Sequence, residues 1–306
     1  MSQLRALLAE YLGLRRSLGY KLERAEELLA DFVGHLDASA ASHISVEAAL
    51  GWAVVPANAL SNWRAQRLGV VRSFARYCNA IDANHQVPPT GLLPRGPGRP
   101  VPFIYSDDQV SVLMRAAKGL RHPLRAATLE AVVGLMTVSG LRVAEVVRLE
   151  DADVDLGEGT ITVRASKAGK SRLLPLHPST VLALRNYATV RDHWRPQSKT
   201  KRFFVSSTGT ALATNNLGAA FVEVLSLAGL GYRGRRPRLG DFRHSFAVNT
   251  LVGWHLAGDD VNAKLPLLSA YLGHVSPTST YWYLSASPEL LSAALGRLET
   301  GAGERP

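Results

Sequence analysis

Leu272-Gly273-His274-Val275-Ser276-Pro277-Thr278-Ser279-Thr280-Tyr281-Trp282-Tyr283 is the stretch on which the rest of the chain turns. A histidine directly after Leu-Gly, with a tyrosine nine residues on, has a plain alternative: the glycine ends a helix and the tyrosine joins an aromatic core. What precedes it changes the balance. In chain order come Ser139-Gly140-Leu141-Arg142-Val143-Ala144-Glu145, then Lys167 in a short turn, then Asp241-Phe242-Arg243-His244. Two arginines, a lysine, a histidine and a tyrosine suit one task, attack on a phosphodiester.

Working outward, 306 residues are long enough for two domains, each with its own core. A hydrophobic content of 46% with 20% charged residues describes an ordinary globular protein, and the net charge of +10 favours a polyanionic partner. Ribosomal association or an acidic membrane surface would give the same total, so charge alone does not choose. The single cysteine, Cys78, excludes an intramolecular disulfide and any multi-cysteine metal site, and fits a reducing compartment. The N-terminus leads straight into a charged amphipathic helix without an apolar targeting region, so the expected location is cytoplasmic. The most apolar run, Leu129 to Val147, is broken by Glu130, Arg142 and Glu145 and reads as a core helix pair; no membrane partner is expected.

Residues 1–87 read as helical throughout. Leu4, Leu7, Leu8, Tyr11, Leu12 and Leu14 keep helical spacing, as do Ala25, Leu28, Leu29, Phe32 and Val33. A third helix opens near Ser45 and runs to Trp52, and a fourth spans about Leu60 to Ala80. On the fourth, Trp63, Leu68, Val71, Ala75 and Cys78 share a face, with Arg72 and Arg76 turned away from it and Arg64 at its edge. That basic side is either a solvated surface or a helix resting along a phosphate backbone. Residues 88–104 carry proline every few positions and form a semi-extended linker, in which Arg95 and Arg99 suit a crossing of DNA or serve solubility alone.

The second domain, 105–306, opens with Ser106 three residues before Gln109, a helix-entry signal. Helices are expected near 123–137 and 142–149. Thr160–Arg164 and Arg172–Leu176 then read as two strands joined by a turn containing Gly169. Helices return at about 178–190, 214–229, 241–256 and 261–272, and a last one from Pro288 to Glu299 carries Leu290, Leu291, Ala294, Leu295 and Leu298 on one stripe. The expected fold class is therefore mainly α with a small β-hairpin, α+β.

Over roughly 105–299 the chain resembles the catalytic domain of the tyrosine recombinases, the phage-integrase family. The likeness rests on four motifs in one order: Ser139 to Glu145, Lys167 to Leu176, Asp241 to Ala247, and Leu272-Gly273-His274 followed by Tyr283. The helical N-terminal region is similar in plan to the family's core-binding domain, the other half of a clamp around DNA. The resemblance implies a site-specific recombinase acting on double-stranded DNA as a homo- or hetero-oligomer, a tetramer on two DNA sites, with the 290–298 stripe docking on a neighbouring protomer.

It also implies roles. Tyr283 is the nucleophile, leaving a 3'-phosphotyrosine and a free 5'-hydroxyl; Tyr281 competes, but stands two residues short of the spacing. Arg142 and Arg243 each offer a planar fork to phosphate oxygens, with Glu145 as the orienting partner of Arg142. Lys167 protonates the leaving oxygen, Lys170 being the less favoured alternative, and His274 donates to the phosphate. A phenol with a pKa of about 10 needs such a cationic site for activation. The arginines take the place of a metal, and no metal or other cofactor is expected. Just before the second arginine motif, Tyr232 to Arg238 holds four arginines, among them Arg235, Arg236 and Arg238, which touch phosphate or solvate a loop.

One position departs from the family's pattern. Gly240 stands where the second motif usually has histidine, three residues before its arginine. Three consequences stay open: slower cleavage by the remaining groups, substitution by a neighbour such as His244, or an accessory protein that binds DNA and cuts poorly.

Overall fold

The computed structural model describes residues 2–55, 59–94, 101–164, 171–230, 232, 234–274, 280, 281 and 283. The chain forms two compact units, residues 1–100 and 101–306.

The first unit contains α1 (Gln3–Ser17), α2 (Glu23–Ala38), α3 (Val46–Val54) and α4 (Ser61–Ile81). Ser2 and Ser45 cap their helices by accepting from the backbone N–H groups of Arg5 and Ala48. The periodic apolar positions then meet in one core that includes Leu4, Leu29, Phe32, Trp52, Val71 and Phe74. Cys78 lies within it, and burial pushes its thiol up to about 12, so it is protonated and unreactive at neutral pH.

On α4 the arginines divide in a way that periodicity did not foresee. Arg67 is buried on the core side, its guanidinium 3.6 Å from the Trp52 ring centre. Its Nη2 donates to the Trp52 carbonyl at 3.0 Å and lies 3.5 Å from Asp31 Oδ2. Arg72 is half-buried and already engaged, donating to the carbonyls of Pro88 at 2.7 Å and Pro89 at 2.9 Å, which ties the start of the proline segment to the helix. Arg76 is exposed.

The second unit begins with α5 (Asp107–Ala117), whose Ser106–Gln109 capping box forms in both directions, and α6 (Pro123–Ser139). Next come α7 (Val143–Val146), a 3-10 turn at Asp151–Asp153, β1 (Val154–Asp155), β2 (Thr160–Val163) and β3 (Arg172–Pro175). The unit continues with α8 (Pro178–Trp194), α9 (Thr214–Leu227), α10 (Gly240–Leu256) and α11 (Val261–Leu272). The three strands form an antiparallel sheet in the order β1-β2-β3, with Ile161 opposite both Val154 and Leu174. Helices around one small sheet are the expected fold class.

Several local expectations need correction. The helix read at 142–149 shrinks to four residues, because Arg142 is extended (φ −75°, ψ 146°) and Glu145 caps its backbone. The two-residue strand β1 is too short to show alternation and was missed. Strands β2 and β3 end one residue earlier than read, at Val163 and Pro175; α8 runs on to Trp194, and α9 stops at Leu227. The expected 288–299 helix lies outside the described residues.

Helix α6 is buried on most of its faces and packs against α5, α8 and α10. It stops at Gly140, which is left-handed (φ +59°) and so close to Phe246 that a Cβ would meet its ring at 2.6 Å. Only glycine satisfies both demands. The chain therefore leaves α6 turned so that Arg142 faces the end of α11.

Candidate active site

Three segment ends meet here: the exit of α6 at Gly140, the first turns of α10, and the exit of α11 at Gly273. Arg142 donates from its backbone N–H to Glu145 Oε2 at 2.9 Å and from Nη1 to Oε1 at 2.7 Å, while Nη2 reaches the Gly273 carbonyl at 3.1 Å. Arg243, on α10, donates from Nη1 to the Gly140 carbonyl at 2.8 Å and from Nη2 to the Leu272 carbonyl at 2.7 Å. The two guanidiniums thus grip consecutive carbonyls at the end of α11.

Their surroundings differ. The Arg142 side chain is 29% exposed and paired with a carboxylate. Arg243 is 6% exposed, and its hydrogen bonds among the described residues go to neutral carbonyls. Burial, and then the charge of Arg142, bring its pKa down to about 10, with Tyr283 and Glu145 opposing the fall. It is still protonated at neutral pH. A buried cation without a bonded counter-charge makes a receptive place for an anion.

Gly273 ends α11 in the left-handed region (φ +66°) and presents His274, whose Nδ1 is 2.7 Å from Thr280 Oγ1. Tyr283 is 2% exposed and packs with Ala247, Val248, Leu251, Leu265 and Leu268. Its hydroxyl lies 3.2 Å from His244 Nδ1, and its ring is nearly parallel to that of His274, 6.1 Å away. Tyr281 is half exposed. Arg142, Arg243, His274 and Tyr283 are therefore brought together, and His244 joins them.

A further member went unread in the sequence. Arg172, on β3, donates through Nη1 and Nη2 to the two Glu145 oxygens at 3.2 and 2.9 Å. The same guanidinium lies under Gly273, where a Cβ would meet its Nη1 at 2.8 Å. Burial works against the Glu145 charge, but the hydrogen bonds from Arg172 and the Arg142 backbone, with the charges of both arginines, outweigh it and hold the carboxyl below its ordinary value. Glu145 is thus the hub between two guanidiniums. An arginine beginning a strand carries no sign in the sequence of which carboxylate it meets; its place at the foot of the lysine-bearing turn was the only available hint.

The remaining expected residues fall differently. Lys167, Lys170, Arg95 and Arg99 lie outside the described residues. Arg235 bonds Asp241 Oδ1 at 2.7 Å, and the Arg238 backbone N–H bonds Oδ2 at 2.7 Å, so this carboxylate fixes the approach to α10. The side chains of Arg236 and Arg238 are exposed. Gly240 is the first residue of α10, and a Cβ built on it meets nothing within 4 Å. Among the described residues no three His, Cys, Asp or Glu side chains are placed to share a metal ion.

Comparison with known proteins bears on this geometry. The sequence model of the phage integrase family matches residues 104–289. The chain is 43% identical to "Putative integrase/recombinase y4rB" of Sinorhizobium fredii, over 98% of each chain. It is 30% identical to the tyrosine recombinase XerC of Serratia marcescens, covering 72% of this chain and 67% of that one. In fold it is similar to the Tn1549 transposon integrase solved with transposon right end DNA, at a TM-score of 0.67 and 15% identity, over 98% of this chain and all of that one.

Proposed function

The chain belongs to the phage integrase family, and on that premise we propose that it cuts and rejoins DNA strands at specific sites through a 3'-phosphotyrosyl intermediate. The observation that carries this is Arg243: a buried cation that, among the described residues, bonds carbonyls and no carboxylate, with a second guanidinium and a tyrosine beside it. The scissile phosphate supplies the missing negative charge. As the pentacovalent transition state forms, charge builds on the non-bridging oxygens, where fixed N–H donors act most strongly. Arg142 and Arg243 receive those oxygens and His274 adds a donor. Tyr283 attacks phosphorus, and Lys167 gives a proton to the departing 5' oxygen. The phosphotyrosyl ester conserves the bond energy, so the 5'-hydroxyl can reverse the step without a nucleotide. Tyr283 is covered in this conformation, so its hydroxyl must be exposed when DNA binds.

The partner is double-stranded DNA, bound by a tetramer spanning two sites. The helical unit forms the other half of the clamp, with Arg76, Arg236 and Arg238 on phosphates, whereas Arg72 and Arg235 already serve the protein. No described helix is long and apolar enough to cross a membrane, and the cytoplasm is the compartment proposed. The test uses a pool of nicked duplexes with a randomised core, in which the cleaved 5'-hydroxyl fragment diffuses away and traps the covalent species. A protein–DNA adduct that vanishes in Tyr283→Phe is expected. Binding of the pool without any adduct would instead make this an accessory protein, with Gly240 as the reason.

A further inference from the structure

The proposed reaction must remove the proton of Tyr283, and Gly240, which has no side chain, cannot take it. We propose that His244 is the proton acceptor for Tyr283; this rests on the phosphotyrosyl chemistry proposed above. Nδ1 of His244 lies 3.2 Å from the tyrosine oxygen, within the reach required of a general base. Residues 240 and 244 are four apart on α10, so they share a face about one turn apart, about 6 Å along the axis. The space above Gly240 is open, and the imidazole of the next turn stands against the nucleophile instead.

The step balances. As the Tyr283 oxygen forms its bond to phosphorus, the O–H bond breaks and the proton passes to His244 Nδ1. The P–O5' bond breaks in the same displacement, and the departing oxygen takes its proton from Lys167. On rejoining, Lys167 accepts the proton of the 5'-hydroxyl and His244 returns one to the tyrosine. Arg243, adjacent on α10, interacts favourably with negative charge on the Tyr283 oxygen. His274, nearly parallel to the tyrosine ring, has its Nδ1 on Thr280.

The experiment compares adduct formation on the same randomised nicked pool for the wild-type chain and three variants. His244→Asn keeps a hydrogen-bonding atom near the Nδ1 position but is no base. It is expected to fold and bind the pool as the wild type does, while forming adduct about a hundred-fold more slowly or worse. His244→Gly leaves room for added imidazoles, and the restored rate should climb with the basicity of the imidazole supplied, which mere filling of the space would not produce. Gly240→His placed on His244→Asn should recover part of the rate from the neighbouring turn. Wild-type speed in His244→Asn, or a rescue indifferent to basicity, overturns the assignment while a wild-type adduct leaves the phosphotyrosyl chemistry standing. Absence of the wild-type adduct removes both.

Discussion

Arg67 in the helical unit and Arg243 in the second unit are buried to nearly the same depth, 8% and 6% exposed. Arg67 stacks on Trp52, bonds the Trp52 carbonyl and reaches Asp31, so its charge is matched within the fold. Arg243 bonds two carbonyls, no carboxylate, and sits beside another guanidinium that helps depress its pKa. The first arginine supports packing. The second bonds no carboxylate among the described residues, which is the property that the proposed reaction asks of a phosphate site.

Exchanging each for methionine separates the two most sharply. Arg243→Met should slow adduct formation by about 10²-fold to 10³-fold, as loss of one preorganised donor does, with little change in Tm because relief of a buried charge offsets two lost carbonyl bonds. Arg67→Met should do the reverse, costing about 1–3 kcal/mol of stability through the lost ring contact and hydrogen bond, with the rate per folded molecule unchanged. Thermal melts beside the adduct assay report both.

Glu145 sharpens the contrast, since it shows what a matched charge looks like inside the second unit. Breaking the pair with Arg172→Leu leaves a carboxylate 8% exposed with Arg142 as its remaining partner and should cost on the order of 1–3 kcal/mol. Adduct formation should fall with it, because Glu145, which holds Arg142, loses its brace from β3. The pH dependence follows from the lowered pKa: this contribution is complete above the ordinary carboxylate value and fades as pH falls through the folded one. Acid melts of Glu145→Gln should accordingly show less loss of stability below about pH 4.5 than wild type.

A free anion should distinguish the two arginines as well. Sulfate binding only the folded state raises stability by about 2.7 kcal/mol at a hundred times its Kd. That upward shift in Tm is expected in wild type and in Arg67→Met, and should be lost in Arg243→Met. The smallest effects are at glycines. Gly273→Ala forces a side chain into a left-handed position against Arg172 and should cost about 1–2 kcal/mol, whereas Gly240→Ala meets open space and should stay within about 0.5 kcal/mol of wild type.

Much of this is legible in the amino-acid sequence. Apolar spacing located the helices of both units, and the four motifs singled out Arg142, Arg243, His274 and Tyr283 in the order in which the fold gathers them. Reading Arg142 and Glu145 as partners needed only their spacing of three. What escaped was contact between residues far apart in sequence. Arg67 was hidden because a buried arginine breaks the apolar pattern of α4, and its stacking on Trp52 joins two helices. Arg172 was hidden because it stands 27 positions from Glu145, on a sheet whose first strand is only two residues long. Arg72 and Arg235 read as free basic residues, since nothing local announces a carbonyl or an aspartate waiting for them.

The central claim is that one phenolic oxygen faces the buried guanidinium site, and the most direct measurement identifies the amino acid that carries DNA. Nuclease trimming of the trapped adduct, followed by peptide mass spectrometry, should find the nucleotide remnant on Tyr283. A remnant on Tyr281, or on any serine, would contradict the account.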